Sequence, residues 1–491
     1  MTEMKFDTVF IANRGEIACR IASTLRSLGI RSVAPFTPPD AESLHVQTVD
    51  VAVPVESYLD GEALIKLALE NGAQALHPGY GFLSENATFC QQCAAAGLEF
   101  IGPDPQAISK MGDKLVAKEF MADAGLPMVP SWSGEPDKVA EGAEGVGFPL
   151  LVKAAAGGGG KGMRLVREPE QLSEAVERAK GEALKAFGDD RIFLERFIEN
   201  PRHIEVQIFG DKHGNAVCFG ERECSLQRRY QKIVEEAPSK VVTPELRARL
   251  VEAGVNAVKA LKYCGAGTVE FILDQQGEFY FLEVNTRLQV EHPVTELVYG
   301  IDLVALQISV AQGEPLDLPE SYLKPRGWSI EARIYAEDPD NNFLPSVGTL
   351  HTFHPPTGHN LRLDTGFKEG DEVSIHFDPM LAKLISYGRT REEARLNLLA
   401  GLKDFAVLGV TTNIPYLIRI LSHQTFIEAA FDTQFLERSP DLFKPQVDPE
   451  ERELAAALAG VFGGSKAPKE SRETSNAPSS PWQTLGNWRH N

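Results

Sequence analysis

The stretch at residues 267–296, GTVEFILDQQGEFYFLEVNTRLQVEHPVTE, decides how the chain is organised. Apolar and polar residues alternate on both sides of a Gln-Gly pair at 276–277, which is typical of a β-hairpin with a tight turn. With those two residues as the loop, Glu270 lies directly opposite Glu283, and Asn285 points to the same face. The sequence therefore predicts a hairpin that holds two carboxylates and an amide together.

Two carboxylates that face each other across a ladder repel, so the predicted hairpin needs a neutralising partner. A divalent cation with oxygen ligands supplies one, and the predicted ligands are Glu270, Glu283 and Asn285. The alternative is a surface hairpin with two solvated acids. A three-residue turn would shift the register and separate the pair. The dense polar run at 287–292 directly after the second strand favours the metal site.

The composition is that of an ordinary globular protein. The chain has 491 residues, 43% hydrophobic and 24% charged, which is enough for two to four domains or lobes. Its 49 basic and 69 acidic residues give a net charge of -20, which disfavours binding to nucleic acid or anionic membranes. There is no run of 18 apolar residues and no apolar leader, so we expect a cytoplasmic, non-membrane protein.

Short apolar runs alternate with helical patterns through about residue 104. Residues 6–12 and 32–36 are two of the apolar runs, and residues 61–71 are one of the helical segments. This alternation predicts a doubly wound parallel sheet. The first strand–turn–helix carries NRGE and lacks G-x-G-x-x-G, so no dinucleotide-binding fold is predicted. A helix at 111–124, with Asp113 and Lys114 near its start, connects this sheet to the next unit.

The sequence predicts a small α/β lobe at residues 130–200, built around a glycine-rich loop. A strand at 148–154 carries Lys153, and a strand at 190–198 carries Glu195. The loop between them matches G-x-G-x-x-G but not a Walker A loop, and its glycines are Gly157, Gly158, Gly159, Gly160 and Gly162. Such glycines allow backbone N–H groups to approach phosphates closely, as in the flexible loop of kinases. The alternative is a mobile surface turn.

A cationic cluster follows in an otherwise acidic protein. It consists of Arg228, Arg229 and Lys232. Together with the glycine loop, Lys153 and the hairpin acids, this cluster predicts an ATP site. The lobe supplies lysine and N–H groups, the hairpin supplies Mg²⁺ ligands, and the cluster holds a second anion near the γ-phosphate. From about residue 447 the chain becomes polar and rich in Pro and Ser, so we expect disorder there. The final WQTLGNWRHN is expected to begin another domain or to form a docking peptide.

Eight motifs in order resemble the biotin carboxylase component of biotin-dependent carboxylases, which belongs to the ATP-grasp superfamily. They are ANRGEIA, HPGYGFLSEN, MGDK, GGGGKGMR, NPRHIEVQ, ERECSLQRRYQKIVEEAPS, EFYFLEVNTRLQVEHPVTE and IEARIYAEDP. The resemblance covers about residues 5–445. It implies an α/β and α+β fold with an N-terminal doubly wound domain, a linker helix, a mobile lid, a C-terminal catalytic domain with an antiparallel sheet, and a tail. The boundaries are 1–112, 113–129, 130–200, 201–446 and 447–491.

The resemblance also implies the reaction. ATP and bicarbonate would form carboxyphosphate, and CO₂ would then pass to N1′ of biotin. The implied cofactors are ATP, Mg²⁺ or Mn²⁺, and biotin attached to a carrier domain. The implied partners are that carrier, a carboxyltransferase subunit, and a second copy of the chain or a larger complex.

Family roles carry over to matching positions. Glu291 would be the general base, since the hydroxyl proton of bicarbonate needs a nearby carboxylate. Arg287 would hold bicarbonate with a guanidinium fork, helped by Lys232, Gln289 and Val290. Arg333 would stabilise the biotin enolate. The implied nucleotide contacts are the five loop glycines, Lys114, Lys153, Met163, Glu195, Arg196, Phe197, Ile198, His203, Gln227, Gln231 and Ile272.

Two features bear on the acceptor and the carrier. No Met-Lys-Met biotinylation sequence occurs, so the carrier is expected on another chain or on a missing C-terminal part. Residues 481–489 resemble the segment that follows this component in acyl-CoA carboxylase α-subunits, which favours an acetyl- or propionyl-CoA carboxylase. The alternatives are a two-subunit pyruvate carboxylase, another ATP-grasp carboxylate–amine ligase, and a nucleotide-binding scaffold without catalysis. Tyr230 stands where many family members have His.

Overall fold

The first strands of the chain form a parallel sheet. In this computed structural model, the described residues are 6–134, 138–155, 163–228, 231–443, 453 and 457. The strands are β1 (Thr8–Ile11), β2 (Arg31–Phe36), β3 (Val51–Pro54), β4 (Ala75–His77) and β5 (Glu99–Phe100), and the helices are α1 (Gly15–Ser27), α2 (Leu44–Thr48), α3 (Gly61–Glu70) and α4 (Ala87–Ala95). The parallel strands lie in the order β3-β2-β1-β4-β5, so the chain adds strands first on one side of β1 and then on the other. This order confirms the predicted doubly wound sheet.

The predicted helix at 111–124 is two helices. They are α5 (Pro105–Gly112) and α6 (Lys114–Asp123). The Asp113 carboxylate accepts hydrogen bonds from the backbone N–H groups of Leu115 at 2.9 Å and Val116 at 3.2 Å, so it caps α6. The predicted start at Met111 is therefore wrong, because the side chain of Asp113 starts a new helix there. This cap fixes Lys114 as the first residue of α6.

A second, smaller sheet lies in the middle of the chain. Its strands are β6 (Ser131–Trp132), β7 (Leu150–Ala154), β8 (Arg164–Val166) and β9 (Ile192–Arg196), and its helices are α7 (Val139–Val146) and α8 (Leu172–Phe187). The antiparallel order is β6-β9-β7-β8. Leu150, Val152 and Leu194 form its apolar core with residues of α7 and α8. The predicted phosphate loop at 157–162 lies between β7 and β8, outside the described residues.

The C-terminal half is built on antiparallel strands. The long ones are β10 (Arg202–Gly210), β11 (Ala216–Arg228), β12 (Gln231–Ala237), β13 (Gly265–Leu273), β14 (Phe279–Asn285), β15 (Trp328–Tyr335), β20 (Leu361–Thr365) and β22 (Met380–Gly388). The short ones are β16 (Glu337–Asp338), β17 (Leu344–Pro345), β18 (Gly348–Thr349), β19 (Thr352–His354), β21 (Glu372–Val373) and β23 (Ala406–Leu408). The eight long strands form one sheet in the order β14-β13-β10-β11-β12-β15-β22-β20.

Helices cover this large sheet. They are α9 (Pro244–Leu261), α10 (His292–Tyr299), α11 (Leu303–Ala311), α12 (Arg391–Asp404), α13 (Ile414–Ser422) and α14 (Gln424–Glu428). Val294 of α10 and Leu303 of α11 share one buried core with Val9 and Ile11 of the parallel sheet. This shared core joins the N-terminal sheet to the segment that carries the predicted general base. Among the described residues, no single helix is long and apolar enough to cross a membrane, and only the bent pair α10–α11 reaches that length in combination.

The turn of the 267–296 hairpin differs from the prediction. The N–H of Asp274 donates to the carbonyl of Glu278 at 2.9 Å, so residues 275–277 form a three-residue loop. Gly277 has φ +84°, a conformation that favours glycine in such loops. The predicted two-residue turn is therefore wrong. The strand register next to the turn is shifted by one residue from the predicted register.

A β-bulge restores the predicted pairing further along. Phe271 pairs with Phe281, whereas the next residue, Glu270, pairs with Glu283, so Leu282 is the extra residue. A bulge inserts one residue in one strand and thereby compensates a one-residue shift. Glu270 and Glu283 are directly opposed, as predicted, although for a different reason.

Residues 445–491 form a separate unit. Of these residues only 453 and 457 are described, both in helical conformation. The predictions of a disordered tail and of a following domain or docking peptide fall outside the described residues.

Candidate active site

A cavity of about 520 Å³ lies between the small sheet and the large sheet. Most of the predicted site residues line it, from segments far apart in the chain. They are Lys114, Lys153, Met163, His203, Gln227, Gln231, Lys232, Glu270, Glu283, Asn285, Arg287, Gln289, Val290, Glu291 and Arg333. The fold therefore brings the lysines, the hairpin acids and the polar run at 287–292 to one place.

Five of the predicted nucleotide contacts do not line this cavity. They are Glu195, Arg196, Phe197, Ile198 and Ile272. Glu195 is only 2% exposed and lies beneath the lysines that do line the cavity. Arg196 donates instead to the carbonyl of Val146 at 3.4 Å. The loop glycines and Tyr230 lie outside the described residues.

Lys118 belongs to this cavity and was not predicted. Its ammonium and that of Lys153 both contact the carboxylate of Glu195. Burial, followed by the nearby charge of Lys114, lowers the pKa of Lys118 to about 8. Burial and the two other lysines hold the pKa of Lys153 well below its usual value. Lys118 follows Lys114 by four residues on α6, so the helical period is a signal that could have revealed it.

The carboxylate of Glu270 is the most heavily bonded acid of the site. Its Oε1 accepts hydrogen bonds from Lys232 at 3.0 Å, Asn285 at 2.9 Å and Gln289 at 3.1 Å. Its Oε2 lies 2.8 Å from Nε2 of His203. Burial acts to raise the pKa of Glu270, but Lys232 and His203 outweigh it and the pKa is lowered. Glu270 is therefore ionised in the folded protein.

The pKa of Glu283 is shifted in the opposite direction from that of Glu270. Burial, followed by the charge of Glu270, raises the pKa of Glu283 above its usual value. The charged form of this side chain is thus unfavourable without added positive charge. Glu270, Glu283 and the amide oxygen of Asn285 form an all-oxygen donor set, which fits Mg²⁺ or Mn²⁺. The residues present therefore fit a divalent cation.

Glu291 lies between two cations at the start of α10. Its Oε1 accepts a hydrogen bond from Lys232 at 2.7 Å, and its Oε2 accepts one from Arg333 at 2.9 Å. Burial acts to raise the pKa of Glu291, but the charges of Lys232 and Arg333 outweigh burial. The pKa of Glu291 therefore lies well below its usual value. The side chain is only 1% exposed. While both cations contact it this carboxylate is a weak base, and its proton affinity rises when a bound anion takes over one of these contacts.

Arg287 connects this site to the N-terminal sheet. Its Nε donates to Glu85 at 3.0 Å, and its Nη1 donates to the side-chain oxygen of Gln289 at 2.9 Å. Its Nη2 donates to Oδ1 of Asn285 at 3.1 Å. Glu85 belongs to the HPGYGFLSEN loop, whose Tyr80 also lines the cavity. This contact shows why that loop carries an acid.

The predicted cationic cluster is only partly present. Lys232 lines the cavity, whereas Arg228 donates to both carboxylate oxygens of Glu337 at 2.9 and 2.7 Å. Its guanidinium also lies 3.9 Å from the ring centre of Phe343. Arg228 is therefore held by a side-chain pair away from the hairpin acids, and Arg229 lies outside the described residues.

A buried layer of acids and bases supports Lys232. Its ammonium donates to Oε2 of Glu205 at 2.7 Å, and the other oxygen of Glu205 accepts from Arg222. Arg222 is fully buried and also donates to Gln207 at 2.7 Å and Thr295 at 2.9 Å. These residues were missed because alternating polar residues in β10 and β11 resemble solvated strand faces. These contacts fix the position of the Lys232 ammonium at the cavity.

A small sheet that faces a large antiparallel sheet across a lysine- and carboxylate-lined cavity defines the ATP-grasp class of ligases. Three family profiles match successive parts of the chain. The N-terminal domain of biotin carboxylase matches residues 5–108, the ATP-binding domain of the carbamoyl-phosphate synthase L chain matches 113–319, and the C-terminal domain of biotin carboxylase matches 331–438.

Known proteins agree with these profiles. The α-subunit of mitochondrial methylcrotonoyl-CoA carboxylase from Dictyostelium discoideum is 44% identical over 98% of this chain and 70% of its own length. The α-chain of mitochondrial propionyl-CoA carboxylase from Caenorhabditis elegans is 45% identical over 94% of this chain and 66% of its own length. This chain thus spans about two thirds of these relatives.

A solved structure matches over its full length. The biotin carboxylase domain of 2-oxoglutarate carboxylase from Hydrogenobacter thermophilus is 43% identical, with a TM-score of 0.87, and the match covers 91% of this chain and 100% of that domain. The chain belongs to the biotin carboxylase family of biotin-dependent carboxylases, which are ATP-dependent ligases.

Proposed function

We propose that this chain catalyses the ATP- and bicarbonate-dependent carboxylation of biotin, the first half-reaction of an acyl-CoA carboxylase. The observation that carries the proposal is Glu291, ionised between Lys232 and Arg333 in the cavity that Lys114, Lys118 and Lys153 also line. The H. thermophilus domain was solved with MgADP, ADP and bicarbonate, which supports the same ligands here.

In this proposal the cations of the site hold bicarbonate while Glu291 takes its proton. Arg287 presents a planar fork suited to a planar anion, and Lys232 adds a point charge next to Glu291. Gln289 and the backbone of Val290 complete the binding of the anion. The proton moves from the bicarbonate hydroxyl to the Glu291 carboxylate, which makes the bicarbonate oxygen a better nucleophile towards the γ-phosphate.

The nucleotide lies towards the small sheet. Lys114, Lys118 and Lys153 neutralise phosphate charge, which phosphoryl transfer needs more than covalent help. Glu270, Glu283 and Asn285 would hold Mg²⁺ or Mn²⁺, which when bound would supply positive charge to neutralise the phosphates. Carboxyphosphate decomposes to CO₂ and phosphate, and this phosphate takes the proton from N1′ of biotin. Arg333 stabilises the negative charge that results on the biotin oxygen.

The biotin is carried by a carrier domain, and a carboxyltransferase subunit then uses the carboxylated carrier. The names of the two relatives favour methylcrotonoyl-CoA or propionyl-CoA as the final acceptor. Acetyl-CoA, which the sequence also suggested, does not occur in those names. Because the H. thermophilus domain is reported as a dimer, we include a homodimer in the proposal. The cytoplasmic location also stays a prediction, and both relatives are mitochondrial proteins.

A second candidate is the same half-reaction in a 2-oxo acid carboxylase, because the H. thermophilus domain belongs to a 2-oxoglutarate carboxylase. Purification of the native complex and identification of its carboxyltransferase would separate the two candidates. A third candidate, an ATP-grasp carboxylate–amine ligase, would use ATP with an amine and without biotin.

The direct experiment measures ATP hydrolysis by the purified chain with and without bicarbonate and free biotin. We expect hydrolysis that needs bicarbonate and that rises with biotin, together with ¹⁴C from labelled bicarbonate in biotin. Hydrolysis that is unchanged when bicarbonate is removed would refute the proposal. A matched preparation of Arg333→Ala should bind ATP but transfer almost no label.

A further inference from the structure

Arg333 is held by Glu235, an acid that does not line the cavity. The sequence motifs assigned no role to Glu235. Its Nε donates a hydrogen bond to Oε1 of Glu235 at 2.7 Å, and its Nη2 lies 2.5 Å from the same oxygen. The same Nη2 donates to Glu291 at 2.9 Å. The guanidinium is therefore fixed between two carboxylates, and only Glu291 of these two lines the cavity.

Glu235 has a second acid beside it. On β12 it pairs directly with Glu331 of β15, and Glu331 precedes Arg333 by two residues, so these side chains share one face of the sheet. Glu235 and Glu331 are both fully buried. Oε2 of Glu235 and both carboxylate oxygens of Glu331 have no hydrogen-bond partner among the described residues. Like charges opposed across a ladder repel, so ionisation of both buried acids is unfavourable.

The surrounding charges decide which acid ionises. Burial raises the pKa of Glu331 well above its usual value, although Lys383 acts in the opposite direction. Burial also raises the pKa of Glu235, to about 7, against the opposing charge of Arg333. The neutral form of Glu331 is thus favoured, and Glu235 is the acid that contacts the guanidinium of Arg333 directly.

We propose that Glu235 is a positioning residue for the carboxylation of biotin, which holds the Arg333 guanidinium in place while Arg333 gives up Glu291 for the substrate. This inference rests on the proposed function, because that function assigns Arg333 to the biotin oxygen. When the Glu291 carboxylate contacts bicarbonate instead of Arg333, Arg333 loses one of its two carboxylate partners. The contacts with Glu235 then keep the guanidinium aimed into the cavity.

The ionised form of Glu235 holds the Arg333 guanidinium more firmly than the neutral form does. Hydrogen bonds between a guanidinium and a carboxylate are about twice as strong as neutral ones. A small displacement of a group that meets the reacting atoms is enough to slow a reaction markedly. The orientation of Arg333 should therefore depend on Glu235 more than on any group that only fills space.

The test is the isosteric variant Glu235→Gln, assayed with free biotin at saturating ATP and bicarbonate. We expect kcat/KM for biotin to fall at least about tenfold more than the biotin-independent hydrolysis of ATP. Glu235→Asp keeps the charge but shortens the side chain, so it should recover part of the loss. If Glu235→Gln does not fold, Glu235→Asp carries the same comparison, and its expected result is a smaller loss of the same kind.

Glu236→Gln is the matched control. Glu236 is the next residue of β12, points to the other face of the sheet, is 2% exposed, and pairs with Arg391 at 2.7 Å. Its substitution also removes a buried ion pair, so Tm should fall. The ratio of the biotin-dependent to the biotin-independent rate should stay unchanged, since Arg391 does not line the cavity.

A double-mutant cycle shows whether Glu235 acts through Arg333. In an Arg333→Ala background, Glu235→Gln should cause no further loss of biotin carboxylation. A full additional loss there would overturn the proposal, as would equal losses of the biotin-dependent and biotin-independent rates in Glu235→Gln. If the wild-type chain itself does not carboxylate biotin, the proposed function fails. If the wild type does so and Glu235→Gln equals it, only this inference fails.

Discussion

The Lys232 ammonium donates a hydrogen bond to Glu291 across 2.7 Å inside the cavity. The same ammonium donates to Glu205 at 2.7 Å and to Glu270 at 3.0 Å, so one buried cation joins three acids. A single positive charge therefore holds both the proposed general base and one of the proposed metal ligands. Substrate binding has to redistribute these contacts, because bicarbonate competes with Glu291 for Lys232.

Replacement of the Glu291 carboxylate by an amide should abolish its role as a base and leave the shape of the cavity unchanged. We expect Glu291→Gln to lower the rate of biotin carboxylation by about 10²- to 10⁴-fold, the usual contribution of a general base. ATP affinity, measured by equilibrium titration, should change little. The matched control is Glu221→Gln, which breaks a buried pair with Arg247 outside the cavity. Near-normal carboxylation by Glu291→Gln would exclude the assigned role.

Lys118 should give ATP binding a pH dependence. Its pKa is about 8, so its positive charge is present below that pH and is lost as the pH rises through it. We expect KM for ATP to rise above pH 8 in the wild type, by about tenfold or more for the loss of one charge-assisted contact. Lys118→Met should start from a higher KM and show a smaller rise.

The exposed Lys110, on the preceding helix, offers a control for this experiment. Lys110→Met removes the same charge and should leave the pH profile of KM for ATP as in the wild type. An equal rise of KM in wild type and in Lys118→Met would show that another group causes the pH dependence.

Glu283→Gln should have opposite effects with and without metal. Without metal, loss of the repulsion with Glu270 should raise the free energy of unfolding by about 1 kcal/mol. The folded-state pKa of Glu283 lies above its usual value, so wild-type stability falls as the pH rises through that pKa, and the variant lacks this fall. With Mn²⁺ and ADP, the increase of Tm seen in the wild type should be much smaller in the variant.

The control on the same hairpin is Glu278→Gln. Glu278 is exposed and pairs with Arg249 at the surface, so its loss should change stability by no more than about 1 kcal/mol and leave the metal response intact. If Glu283→Gln retains the full Tm response to Mn²⁺, Glu283 is not a metal ligand.

Lys383 should be important for the stability of the fold beneath Val290, which lines the cavity. Its fully buried ammonium lies 3.0 Å from Glu16 and donates to the carbonyl of Val290 at 2.8 Å. Lys383→Met removes the cation from the buried Glu16, which among the described residues keeps only its hydrogen bond from the Tyr80 hydroxyl, so we expect a loss of about 3–5 kcal/mol in the free energy of unfolding by urea. Lys368→Met removes a half-exposed pair with Asp371 and should lose less than about 1 kcal/mol. Similar losses in both variants would contradict this assignment.

Much of the site could be predicted because its residues are close in sequence. Residues 270–291 belong to one hairpin and the turn after it, so alternation predicts that Glu283 and Asn285 share a face and suggests Glu270 as their partner. The turn was nevertheless wrong by one residue, and the pairing of the acids survives because of the bulge at Leu282. A bulge has no sequence signal in an apolar strand, so its position could not be predicted.

The other corrections share a cause. Lys118 meets Glu195 from a segment 77 residues away, and Glu235 meets Arg333 from one 98 residues away. Arg228 appeared to belong with Lys232, but its side chain is held by Glu337 on a distant strand. Contacts of this kind depend on how strands are ordered in a sheet.

The sequence by itself determined the local elements, the doubly wound start of the chain and the presence of acids and cations suited to ATP and bicarbonate, because alternation, helix period and motif spacing act over a few residues. Only the tertiary structure decided which of these charges meet. Strand order, a bulge and the packing of the small sheet over the large one bring Lys118 to Glu195 and Glu235 to Arg333. The physical reason is that a buried charge is stable only beside its partner, and that partner is chosen by the fold and not by the neighbouring sequence.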